Sequence, residues 1–110
     1  MSDKKRYAVH ILPPAQFEIE EIAQLYRSLS GVDSARRITD AIFSALDQIA
    51  MFPLSGAPVR DAELRALGYR CVIAGKHIAI YRYIGEDVFV YHIFDGRSDY
   101  PALFRSELFS

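Results

Sequence analysis

The side chains able to do chemistry in this chain crowd into its last third. Arg70 stands at the head of an apolar run, Arg82 sits inside a second, and Arg97 follows a third, with Tyr100 just beyond it. His92 lies within the third run, and Arg65 lies a few residues before the first. A guanidinium is a fixed, planar cation suited to phosphate or carboxylate oxygens. An imidazole changes charge near neutral pH and can carry a proton. Such a set would suit contact with an anionic macromolecule. Each residue also has a structural reading. Arg70 can pair with Asp61 or Glu63, and Arg97 with Asp99. Tyr100 can lay its ring on a sheet with its hydroxyl left to form one bond. His92 can be a satisfied core or edge histidine. His77, next to Lys76, reads as solvated, and His10 has no evident partner. Tyr81, Tyr83 and Tyr91 could offer a stacking platform to nucleic acid, but fit sheet packing better. No Cys/His cluster has metal-ligand spacing, and nothing calls for a cofactor.

The elements that must position these groups are three strands. The sequence from Gly68 to Tyr100 reads GYRCVI, AGK, HIAIYRYI, GED, VFVYHIF, DGRSDY. Three runs rich in Ile, Val, Tyr and Phe, split by two short Gly-bearing breaks, predict two successive hairpins and an antiparallel meander. In the second run Ile78, Ile80, Arg82 and Ile84 share one face, opposite Ala79, Tyr81 and Tyr83. In the third, period two sets Val88, Val90, His92 and Phe94 against Phe89, Tyr91 and Ile93. Neither strand has a clean polar face. Both faces of the sheet should therefore be covered, the second by Pro101–Phe109 or by a partner chain.

Upstream, residues Tyr7 to Leu12 predict a strand ended by Pro13-Pro14. A first helix follows, with Pro14 in its first turn. Its apolar stripe is Ala15, Ile19, Ile22, Tyr26 and Leu29, with Glu18, Glu21 and Arg27 facing away and Gly31 as C-cap. A second helix, capped by Asp33 or Ser34, carries Ala35, Ile38, Ile42, Ala45, Ile49 and Phe52 at spacings of three and four. Pro53 stops it, and a turn-rich connector runs to Pro58. A junction of three to five residues would make the helices an antiparallel hairpin. The predicted order is β-α-α-β-β-β-α.

At 110 residues, the chain predicts a single domain spanning 1–110, with residues 1–6 as a disordered, solvated start. A net charge of -1 leaves any nucleic-acid contact to a local patch. The lone Cys71 excludes an internal disulfide framework and reads as a small core hydrophobe. The apolar stretch Tyr7–Leu12 is too short for a signal or a membrane span, so the expected location is the cytoplasm.

Taken in order, these words resemble the RelE/ParE superfamily of toxins from bacterial type II toxin–antitoxin operons. The resemblance rests on Pro14-Ala15 opening the first helix and on the second helix ending in Phe52-Pro53. It continues through Gly56, the approach Leu64-Arg65 to Gly68-Tyr69-Arg70, the strand Ile80-Tyr81-Arg82, and Gly96-Arg97-Ser98-Asp99-Tyr100. It implies an α+β, microbial-RNase-like fold, with a helical hairpin packed on a twisted antiparallel sheet. It implies a cognate antitoxin encoded in the same operon, and one of two actions.

RelE-like members cut messenger RNA on the ribosome without a metal. They use cations for the in-line phosphate, an activator for the ribose 2′-hydroxyl and a donor to the leaving oxygen. ParE-like members bind DNA gyrase and do not cleave. Arg70 matches the phosphate-binding arginine of the nucleases, while Arg97 and Tyr100 fall near their C-terminal arginine and tyrosine. His92 is the alternative proton carrier. The nuclease lysines, expected on a strand leading into Arg70, align with Asp61 and Glu63, whose charge would repel a phosphate. The segment Asp95–Tyr100 is similar to the ending common in ParE-like members. The resemblance therefore favours a ParE-like inhibitor over an enzyme, with the endonuclease as the alternative and a non-toxic partner-binding module as a third reading. The residues expected at a partner surface are Arg65, Arg70, Arg82, Arg97, Tyr100 and Phe104.

Overall fold

The computed structural model describes residues 5–109. Its order is β1 (Ala8–Ile11), α1 (Pro13–Ser30), α2 (Val32–Met51), β2 (Ala57–Pro58), α3 (Ala62–Ala66), β3 (Arg70–Ala74), β4 (His77–Ile84), β5 (Asp87–Asp95) and α4 (Tyr100–Phe109). The five strands form one sheet in the order β1-β5-β4-β3-β2. β1 runs parallel to β5, and every other pairing is antiparallel. The fold is thus α+β with the expected helical hairpin, but the sheet is mixed and not wholly antiparallel, because β1 joins it alongside β5 in the same direction.

The long helices follow from their period, but their junction is tighter than three to five residues. Gly31 alone separates them. At φ 92° it takes a backbone conformation open to glycine. Its N–H closes α1 on the Arg27 carbonyl, and its own carbonyl receives the Ala35 N–H that starts α2. Neither Asp33 nor Ser34 caps α2; both lie inside it, with Asp33 in the first turn, where a carboxylate favours the helix dipole.

The hairpin buries Ala15, Ile19, Ile42, Ala45, Leu46 and Ile49 against Val72, Ala74, Ala79, Tyr81, Val88, Val90 and Ile93. The stripe does not extend to Leu29 or Phe52, which are exposed. A second cluster on the opposite face joins Val59, Leu64, Tyr69, Ile80, Tyr100 and Phe104. Here α4 docks on its own sheet through Tyr100 and Phe104, which settles what covers the middle of that face. At the β3–β4 end the face stays open, with Ile73 73 % exposed.

A β-bulge changes the predicted faces of β5. Ile80 pairs with His92, but Tyr81 pairs with Val90, so Tyr91 is the extra residue. Beyond it the parity inverts. Ile93 joins Val88 and Val90 under the helices, while Tyr91, His92 and Phe94 gather on the α4 side. Two short elements were also not in the predicted order. β2 has two residues, and α3 is a five-residue helix whose N-cap, Asp61, accepts the Leu64 N–H.

The expected disordered start falls mostly on residues outside the described ones. Lys5 and Arg6 are described, and form ion pairs with Glu86 and Asp47. Among the described residues, no helix is long and apolar enough to cross a membrane.

Candidate functional site

Arg70 begins β3, but its guanidinium turns back onto the chain. Its Nη2 donates to the carbonyls of Leu54 and Gly56, at 3.0 and 2.6 Å. It pairs with neither Asp61 nor Glu63. Asp61 caps α3 and Glu63 lies in its first turn, so neither is on a strand, and both face Arg105 of α4. Beneath Arg70 the connector is tied closely to the sheet. The hydroxyl of Tyr81, fully buried, donates to the Pro53 carbonyl at 2.7 Å and accepts the Gly56 N–H at 3.0 Å. Burial pushes this phenol up, against the opposing pull of the Gly56 N–H and Arg70. A Cβ on Gly56 would lie 2.5 Å from that hydroxyl and from the Cys71 carbonyl. Only glycine lets the connector approach so closely.

Arg82 is also engaged internally. Its Nε and Nη2 donate to the Tyr91 hydroxyl at 3.0 and 2.7 Å. Its guanidinium lies over the Tyr69 and Tyr91 rings at 4.6 and 5.2 Å from their centroids, a cation–π clamp. Tyr100 packs its ring in the second cluster, with its hydroxyl 3.7 Å from the thiol of half-buried Cys71. Burial and that thiol raise its pKa, against an opposing effect of Arg60. Phe104 is buried edge-on to Tyr69.

His92 is satisfied, as its structural reading has it. Its Nδ1 lies 2.9 Å from Glu18 and its Nε2 3.0 Å from Glu107. Glu18 therefore does not face away. Its second oxygen accepts the Ile93 N–H at 2.8 Å, closing the β5 edge where β1 has ended. Sequence pattern gave no sign of this, because a glutamate beside an apolar stripe usually meets water.

Arg97 forms its ion pair with Asp95 rather than Asp99, and its side chain is 92 % exposed. Asp95 is held below its usual range by the hydrogen bonds from Arg97. His77 is buried, not solvated. Burial lowers its pKa, with Asp95 opposing and Lys76 assisting, and its Nδ1 has no partner among the described residues. His10 does have a partner, Asp87 at 2.9 Å. Arg65 is exposed on α3.

The nominated groups therefore do not converge. Arg70 is level with Tyr81 and Val90, whereas Asp95, just before Arg97, is level with His77 and Ala74. Four residues along a strand is about 13 Å. Two shallow clefts flank the open edge of β3. One, of about 620 Å³, includes Arg60, Cys71, Ile73, Ile78, Gly96 and Tyr100 in its lining. The other, of about 460 Å³, includes Tyr26, Ile73, His77, Asp95 and Arg97. Both mix apolar walls with cations, Arg60 in the first and Lys76 and Arg97 in the second, an arrangement suited to gripping side chains of a protein.

A helical hairpin on one face of a mixed sheet, with a last helix on the other, is the architecture of RelE/ParE-like toxins. Residues 9–100 match the family described as ParE toxin of type II toxin–antitoxin system, parDE, and the chain belongs to that family. No curated protein matches at a significant level. Among solved structures, one from the chromosomal ParDE toxin–antitoxin system of P. aeruginosa superposes with a TM-score of 0.69 at 16 % identity, over 83 % of this chain and 97 % of that one. A chain of the toxin–antitoxin complex RelBE2 from Mycobacterium tuberculosis gives 0.61 at 20 % identity, over 82 % and 98 %.

Proposed function

We propose that this toxin acts by binding and not by cleavage, with DNA gyrase as its target and a cognate antitoxin as its restraint. One observation carries the choice: the groups that phosphoryl transfer would need are each engaged elsewhere. Arg70 serves two backbone carbonyls, Arg82 a tyrosine, Arg97 an aspartate, and His92 two glutamates. Cleavage of an RNA backbone needs cations aimed at one phosphate and a proton carrier beside it. Here the arginines are spread along the strands. Membership of the ParE family supports gyrase as the target. The open end of the second face and the exposed Phe17, Leu25, Leu29 and Val32 of the helical hairpin supply apolar surface for an antitoxin segment that folds on contact. Arg65 and Arg97 would meet a partner directly. Arg70, Arg82, Tyr100 and Phe104 would shape its surface from within.

The test is induction without the antitoxin, reading DNA supercoiling and message integrity in the same cells. Growth arrest with altered supercoiling and intact message is the expected result. Codon-phased cuts in translated message with normal supercoiling would overturn it in favour of the ribosome-dependent endonuclease. Unimpaired growth at high levels of folded protein would leave a partner-binding module. Co-expression from the native operon should yield a stable complex with the neighbouring small protein.

A further inference from the structure

Most arginines of this chain are engaged. Arg6 meets Asp47, Arg60 the Tyr100 hydroxyl, Arg65 the Arg60 carbonyl, and Arg105 both Asp61 and Glu63, beside the pairings of Arg70, Arg82 and Arg97. Among the described residues, the guanidiniums without a partner are those of Arg27, Arg36 and Arg37, all near the tip of the helical hairpin. Two of them, Arg27 of α1 and Arg36 of α2, line one depression of about 400 Å³ between the helices; Arg37 does not. Half-buried Ala23 and buried Ala35 make its floor, and exposed Val32 an apolar wall. Thr39 also lines it, but its hydroxyl is spent on the carbonyls of Ala35 and Arg36. The helix dipole accounts for Arg27, in the last turn of α1. It gives no support to Arg36, in the second turn of α2 and near its positive end. Asp33 and Asp40 lie three before and four after Arg36, a spacing at which helical ion pairs form, yet neither pairs with it.

We propose that Arg27 and Arg36 form a carboxylate receptor at the tip of the helical hairpin, and that the antitoxin segment covering this tip sets a Glu or Asp into it between apolar residues. The proposal rests on the antitoxin reading given above and adds the chemistry of the contact. A guanidinium offers a planar set of donors matched to a carboxylate, and two of them from two helices can hold both its oxygens. The small floor of Ala23 and Ala35 leaves room for the methylene groups that carry the acid. Leu29 and Val32, both exposed on either side of the Gly31 junction, supply apolar surface for the residues flanking it. Charge complementarity selects the occupant. A second copy of the chain would bring the same cations to the same place and repel. Nucleic acid is held by a run of cations along its phosphates, and here only two cations line the depression, in a chain of net charge -1. An acidic, apolar protein segment satisfies both the pair and its rim.

The experiment uses the full-length chain from cell-free synthesis and the small protein encoded beside it. Titration calorimetry gives the Kd for wild type, for the double variant Arg27→Gln/Arg36→Gln, and for Arg37→Gln, each at about 50 and about 300 mM salt. Glutamine keeps the helix propensity, and all three positions are exposed, so urea midpoints should stay the same. The double variant should bind about tenfold more weakly or worse, with a shallower salt dependence. Arg37→Gln carries the control: it removes a cation of the same tip that lies outside the depression, and its Kd should stay within about twofold of wild type. Unchanged affinity in the double variant, or an equal loss from Arg37→Gln, would overturn the proposal and leave the antitoxin reading standing. Failure of the wild type to bind the neighbouring protein would instead defeat that reading, and this proposal with it. Sedimentation with vesicles of equal parts phosphatidylcholine and phosphatidylglycerol covers the remaining anionic partner. Wild type should stay in solution; sedimentation of wild type but not of the double variant would assign the arginine pair to a membrane surface and overturn the proposal.

Discussion

Replacing Tyr81 by Phe removes one oxygen atom from a fully buried site, and the structure specifies the consequence. The hydroxyl donates to the Pro53 carbonyl and accepts the Gly56 N–H. The ring keeps its volume, so no cavity term enters. What is lost is the partner of two backbone groups with no water to replace it. An orphaned buried donor or acceptor costs about 1–3 kcal/mol. Some relaxation of the connector should offset part of this, for a net loss of about 2–4 kcal/mol. For a domain of this size that corresponds to a melting temperature lowered by about 8–20 °C. Urea unfolding followed by far-UV circular dichroism should show a lower midpoint with an unchanged slope. A loss below about 0.5 kcal/mol, within the range of ordinary surface substitutions, would refute the view that this hydroxyl ties the connector to the sheet.

Three more outcomes follow from the same geometry. Gly56→Ala should destabilise more than Tyr81→Phe, because its Cβ meets a backbone oxygen as well as the hydroxyl at 2.5 Å; in the double variant the losses should sum to less than their total, since one clash is gone, as a double-mutant cycle would reveal. Glu18→Ala should cost about 1.5–3 kcal/mol in urea unfolding by leaving the Ile93 N–H and a ring N–H of His92 without their acceptor, and faster exchange of the Ile93 amide should accompany it. His77 is held neutral by burial, so its pKa in the fold is lowered; the folded state binds the proton less readily than the unfolded one, and stability is lost as pH falls below the ordinary imidazole value. His92, whose pKa is raised, slopes the opposite way, so the measurement is the difference between wild type and His77→Gln in unfolding free energy against pH: the wild type should lose stability relative to the variant as pH falls.

Much of this molecule can be read from its residues, and the failures have physical causes. The two long helices announce themselves because twenty residues give a 3.6-residue period time to show. α3 has five residues, too few for any period, and β2 has two. The bulge at Tyr91 carries no glycine or polar break, so strict alternation continued straight through it and placed Ile93 and Phe94 on the wrong faces. His77 was misjudged from its neighbour Lys76, since a hairpin position implies water unless a helix happens to cover it, and here Tyr26 of α1 packs edge-on to the ring. The arginines stand out in the sequence, but sequence gives no view of where a guanidinium turns. Arg70 and Arg82 look alike on the page and serve quite different carbonyls and rings. The role of Glu18 depends on β1 stopping at Ile11, a fact of registry rather than composition.

The parallel pairing of β1 with β5 has a consequence for how the protein comes into being. Ala8 waits for Asp87, about eighty positions later in translation. At cellular elongation speeds the first strand has no neighbour for about 4–16 s, and the sheet cannot be completed until nearly the whole polypeptide has left the ribosome. The sheet of the nascent chain therefore stays incomplete until the final moments of its synthesis.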